Sequence, residues 1–126
     1  MSRARRDLLL SATLFAMAGF ILPAVGTAHA APFDGTWSVL IITQKGDCDA
    51  AYRYEIAVDG GRVSYPDGGF SVSGPVSGSG GVNVSIKRGD QGANASGRLS
   101  GSRGSGTWSG KSSTTACSGR WEASKR

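Results

Sequence analysis

The chain has 126 residues, 20 of them glycine, with 39% hydrophobic and 8% aromatic residues; 14 basic against 9 acidic side chains give a formal charge of +5. So much glycine disfavours helix throughout. One histidine and two cysteines leave little for imidazole or thiol chemistry.

Residues 1–30 differ from the rest. Arg3, Arg5 and Arg6 stand ahead of an apolar run from Leu8 to Val25, and Ala28-His29-Ala30 follows. Basic start, apolar middle and small-x-small end predict a signal peptide cleaved after Ala30, leaving one domain over residues 31–126. An uncleaved membrane helix is the alternative, but Pro23 interrupts the run, so no membrane span is expected after cleavage. Arg5-Arg6 followed by Asp7-Leu8-Leu9 also fits a twin-arginine signal, and the export route stays open. Either route implies a periplasmic or secreted protein in an oxidising compartment.

His29, Met1 and Met17 all fall in the segment expected to be removed. The remaining chain then has no imidazole or thioether, which excludes Ser-His-Asp and Cys-His catalysis, imidazole zinc sites and His or Met haem ligation. A non-enzyme without metal or cofactor is expected. Carboxylates outnumber cations from Ala31 to Ile86, and Lys and Arg dominate from Lys87 to Arg126. That split gives the domain a basic side suited to an anionic envelope component. Arg103, Trp108, Lys111, Arg120, Trp121 and Lys125 interleave cations with rings as nucleic-acid binders do, but export argues against that partner.

Short alternating segments separated by turn clusters fill the rest. Gly35 to Thr43 aligns Trp37, Val39 and Ile41, and Ala51 to Val58 aligns Tyr52, Tyr54, Ile56 and Val58. Asp59-Gly60-Gly61 is a hairpin turn signal, Arg62 to Tyr65 is a short strand, and Pro66-Asp67-Gly68-Gly69 turns again. Phe70 to Val76, Val82 to Lys87, Ala93 to Leu99, Gly104 to Gly110 and Cys117 to Ser124 complete eight candidate strands. Regular spacing with tight turns predicts an all-β antiparallel meander, as a closed or nearly closed up-and-down barrel or as two packed sheets.

Parity along the strands sorts the interior. Cys48 falls with Tyr52, and Cys117 with Trp121, so a Cys48–Cys117 disulfide is expected between the approach to the second strand and the start of the eighth. Gly97, Gly104, Gly106, Gly110 and Gly119 share inward parity with large residues, as in small barrels where rings fill space above glycine. With so few aliphatic residues, the later strands are expected to form the thinner, more dynamic half.

Trp37, Tyr52, Tyr54, Tyr65, Phe70, Trp108 and Trp121 share inward parity and are the candidates to line a ligand cavity; core filling is the competing role. Asp47 and Asp49, with Asp34, lack the spacing of a calcium loop and fit turns better. Glu55 and Glu122 fall outward, against paired-carboxylate catalysis. The glycine-rich tract Ser77 to Gly81 precedes no helix and fits a hairpin turn.

The opening FDGTWSV, the middle GRLSGSRGSGTWSG and the ending CSGRWEA resemble a group of small exported β-proteins of Gram-negative bacteria, some labelled haem-utilisation or adhesion proteins. No haem-ligand motif accompanies the likeness. GTW around Trp37 and TWSG around Trp108 are also similar to the avidin family, which implies an eight-stranded barrel with an internal ligand; its biotin-contacting polar residues have no position-by-position match here. The expectation is an exported, non-catalytic β-barrel module that binds a small ligand or an envelope partner. The alternative is a periplasmic protein inhibitor of the lysozyme-inhibitor kind, acting through the loops Asp47 to Ala50 and Lys111 to Ala116.

Overall fold

A computed structural model describes residues 32–126; the predicted signal peptide lies outside the described residues. Eight strands follow in order: β1 (Gly35–Lys45), β2 (Ala51–Asp59), β3 (Arg62–Ser64), β4 (Ser71–Pro75), β5 (Gly81–Arg88), β6 (Gln91–Ser100), β7 (Arg103–Lys111) and β8 (Ala116–Lys125). Each pairs antiparallel with the next, and β8 returns to β1, so the sheet is a closed up-and-down barrel. Closure settles the choice between barrel and sandwich. β1 runs on past Thr43 to Lys45 through an irregular step in its pairing with β8. β3 stops before Tyr65, whose successor Pro66 brings no N–H to the ladder.

Four loops, β1–β2, β3–β4, β5–β6 and β7–β8, lie at one end of the barrel, the mouth; the other turns lie at the base. Gly60 and Gly61 form the two-residue β2–β3 turn with φ of 60° and 76°, a left-handed pair that residues with a Cβ resist. Both of their N–H groups donate to the Asp34 carboxylate, at 2.8 and 3.1 Å. Asp34 thus pins the chain ahead of β1 against the base and places Phe33 on the core.

Period-two alternation sends the apolar set inward. Trp37 is 1% exposed, and Val58, Val63, Val76, Val84, Ala95, Leu99, Trp121 and Ala123 are buried around it. Each large side chain withdrawn from water in this way contributes about 1.5–3 kcal/mol. Outward positions carry the charges: Arg120 pairs with Glu122, Arg126 with Glu55, and Arg53 donates to Ser38 Oγ at 2.9 Å. Both glutamates are therefore surface ion-pair partners.

The repeated Gly-x-Trp motif has a topological reason. Gly106 and Trp108 on β7 run antiparallel to Gly119 and Trp121 on β8, in a register that sets Gly106 opposite Trp121 and Trp108 opposite Gly119. Each tryptophan therefore meets the other strand's glycine. Trp121 crosses β7 and donates its indole N–H to the Ser96 carbonyl on β6 at 3.2 Å. Trp108 goes the opposite way, past β8, and donates to the Ile42 carbonyl on β1 at 3.1 Å. Trp37 donates to the Phe33 carbonyl at 2.9 Å, so all three buried or half-buried indoles are satisfied.

Glycine is required under Trp121 by space. A Cβ at Gly106 would fall 2.7 Å from Trp121 Cε2, and one at Gly97 would fall 2.6 Å from Trp121 Cζ2. The expectation of a thin later half holds for side chains only. β6, β7 and β8 have long, continuous ladders, whereas β3 and β4 pair only at Arg62–Pro75 and Val63–Gly74.

Cys48 and Cys117 form a disulfide with a Cα–Cα distance of 6.2 Å. It links the β1–β2 loop to β8 across the end of β1. Gly46 lies against it: a Cβ there would come within 2.6 Å of Cys117 Sγ.

Candidate ligand cavity

The barrel interior is divided by where the indoles go. Toward the base, Trp121 covers Gly97 and Gly106, and Trp37, Val58, Val63, Val76 and Leu99 close the floor. Toward the mouth, the small residues that β6 and β7 turn inward are Ala93, Ala95 and Gly110, and the Trp108 ring has turned toward β1. Small residues without a ring above them leave a cavity of about 310 Å³. That volume falls at the lower end of small-molecule sites.

Its wall is mostly aliphatic and aromatic. β1 and β2 supply Val39, Ile41, Tyr52, Tyr54 and Ile56, and β4 and β5 supply Val72, Val84 and Ile86. The register explains the match, since Val39 faces Tyr54, Ile41 faces Tyr52 and Trp37 faces Ile56 across the β1–β2 ladder. Trp37, Tyr52, Tyr54, Phe70, Trp108 and Trp121, all singled out by parity, border this space together.

Tyr65 does not border the cavity. Its residue lies beyond the end of β3, freed from the strand's alternation, and its ring stacks on Phe70 with centroids 4.3 Å apart and planes at 22°. Tyr54 meets Tyr52, Tyr65 and Phe70 edge-on at 5.2, 5.6 and 5.3 Å, so one aromatic cluster braces the side of the mouth where β2, β3 and β4 meet. Burial holds the Tyr52 phenol above its ordinary pKa of 10.0, with the Asp49 charge adding to the shift. Burial likewise raises Tyr54, which Arg88 opposes from across the mouth. Both phenols are neutral hydrogen-bonding groups at physiological pH.

Polar residues rim the opposite side: Arg88 and Gln91 at the β5–β6 turn, then Lys111, Ser112 and Thr115 at the β7–β8 loop. Sequence reasoning missed Arg88 and Gln91. The parity that aligns Val82, Val84 and Ile86 does continue to Arg88, but a strand ended at Lys87 drops it; Gln91 sits in a polar turn with no periodic signal. Lys111 has outward parity yet reaches the rim from the last position of β7.

The aspartates considered together in sequence are far apart in the fold. Asp34 is at the base on the β2–β3 turn, whereas Asp47 and Asp49 are in the mouth-end β1–β2 loop. Among the described residues no group of His, Cys, Asp or Glu is placed to hold a metal ion. Comparison of the chain with protein-family models, with curated proteins and with solved structures finds no match.

Proposed function

We propose that the protein is a non-catalytic binding module that holds a small, largely apolar ligand inside its barrel. The observation that supports this is the open space among Trp37, Tyr54, Phe70 and Trp108, where close-packed side chains would otherwise be expected. Apolar walls supply affinity, and the neutral phenols of Tyr52 and Tyr54 with the mouth residues supply orientation. Export, predicted from residues 1–30, puts this activity in the periplasm or outside the cell, where such a module would sequester or carry its ligand.

The test is a titration of the purified, oxidised protein with octanol, nonanol and decanol, read by tryptophan fluorescence. Trp37 and Trp108 border the space and report its filling. Each added methylene should tighten binding about fourfold while the chain still fits. Ala95→Phe, which fills the cavity from a buried wall position, should abolish binding while leaving the barrel's circular dichroism unchanged. Affinity that ignores chain length, or survives Ala95→Phe, would refute the reading.

The inhibitor alternative draws on a different feature of the same end. Its loops, Asp47 to Ala50 and Lys111 to Ala116, adjoin the Cys48–Cys117 bridge and flank the mouth. Inhibition of a lysozyme in a turbidity assay, retained by Ala95→Phe, would favour that reading.

A further inference from the structure

The charges around the cavity are one-sided. Loops at the mouth end carry Lys45, Asp47, Asp49, Asp67, Lys87 and Asp90 as a mixture of both signs. The charged residues that border the cavity itself are Arg88 and Lys111, and no carboxylate does. Neither cation forms an ion pair or a side-chain hydrogen bond among the described residues, whereas Arg120 and Arg126 on the outer surface do form ion pairs.

Register sets the two cations two strands apart at the mouth, Arg88 on the inward face and Lys111 reaching the rim from the outward one. Arg88 pairs with Gln91 at the β5–β6 turn, and the next residue, Gly92, pairs with Lys111 on β7. The first residues of β6 therefore lie between the two side chains, and adjacent strands are about 4.8 Å apart. A planar guanidinium and a flexible ammonium, both exposed, flank the Gln91 amide and the small residue Gly92. Arg88 and Gln91 share the inward face of the barrel, and both border the cavity. Ser112 and Thr115 add hydroxyl donors on the same side.

Below this rim the wall turns apolar at once, with Ile86, Ala93, Val84 and Ala95. A pocket apolar at depth with two cations at its lip matches one kind of molecule in shape and charge. Resting on the cavity reading above, the geometry points to a single-chain amphiphile with an anionic head as the ligand: its hydrocarbon occupies the barrel, and its carboxylate lies between Arg88 and Lys111. The anion accepts charge-assisted hydrogen bonds from both side chains. The cavity's volume suits one short chain and excludes a two-chain lipid held whole.

The experiment compares decanoate, decanol and decyltrimethylammonium, which share a chain and differ in head charge, by fluorescence titration at low and high salt. Decanoate should bind about tenfold tighter than decanol and decyltrimethylammonium weakest, with the decanoate advantage shrinking in high salt. Arg88→Gln with Lys111→Gln should erase that advantage while decanol still binds, and Arg88→Glu should turn preference toward the cationic probe. Both sites are exposed, so the variants are expected to fold. Equal binding of decanoate and decanol, or a decanoate advantage that survives the double variant, overturns the anionic head while sparing the cavity. Preference of the unmodified protein for decyltrimethylammonium overturns it too, in favour of the aromatic side of the mouth. Failure of all three probes to bind overturns both readings.

Discussion

Replacing Gly106 by alanine adds one methyl group where the barrel has no space for it. In an ordinary strand the change gains roughly 0.5–1 kcal/mol, because glycine loses more backbone freedom on folding. Here the new Cβ would lie 2.7 Å from Gly97 Cα and 2.7 Å from Trp121 Cε2, and would also press on the Ser96 carbonyl. Either β6 and β7 separate or the indole lifts, and lifting it breaks the 3.2 Å bond to Ser96. Overpacking costs about 1–3 kcal/mol and a lost buried hydrogen bond about 1 kcal/mol, so Gly106→Ala should destabilise by about 3 kcal/mol. In a domain of this size that lowers the melting temperature by roughly 15 °C. Urea unfolding followed by circular dichroism gives the value, and Gly92→Ala, with open space around its Cβ, is the control that should cost nothing. Repeating Gly106→Ala in a Trp121→Leu background should recover about 1–2 kcal/mol. An alanine at 106 that is neutral, or equally costly in both backgrounds, would show that the indole is not what demands glycine there.

Two further outcomes follow from the same structure. The Cys48–Cys117 bridge has a sequence separation of 69, so replacing both cysteines by serine should cost about 4 kcal/mol by loop entropy, measured by urea unfolding; a loss under about 1 kcal/mol contradicts that account. Because burial raises the pKa of Tyr52 and Tyr54 above 10.0, the unfolded chain ionises first; their contribution is complete below pH 10.0 and is lost as pH rises through the folded values. Thermal melts at increasing alkaline pH should show the decline, and Tyr52→Phe with Tyr54→Phe should reduce it.

Strand order, strand ends and the inward set were legible because a meander barrel obeys local rules. Period-two alternation names the face, and glycine-rich turns name the reversals, so the sequence alone places Trp37, Tyr54 and Trp121 inside. Tyr65 was misplaced because parity means nothing one residue past the end of a strand. The open interior was not legible at all. It depends on which way two indoles swing, and that follows from the register between β7 and β8, a non-local quantity. Arg88 escaped, and Lys111 was read as a loop residue and not as a cavity residue, for a related reason: both close their strands, where alternation gives way to turn chemistry.

The exchange of rings and glycines between β7 and β8 also separates two kinds of constraint within one wall. Gly97 and Gly106 are held to hydrogen by backbone and indole atoms, and any enlargement there strikes the fold. Ala93 and Ala95 face the cavity from the same wall, so side chains lengthened at those positions enter the space that a ligand would take. Changes at such a position alter what the barrel accepts without altering how it folds, which gives a small scaffold with few core residues a route to new selectivity by point substitution.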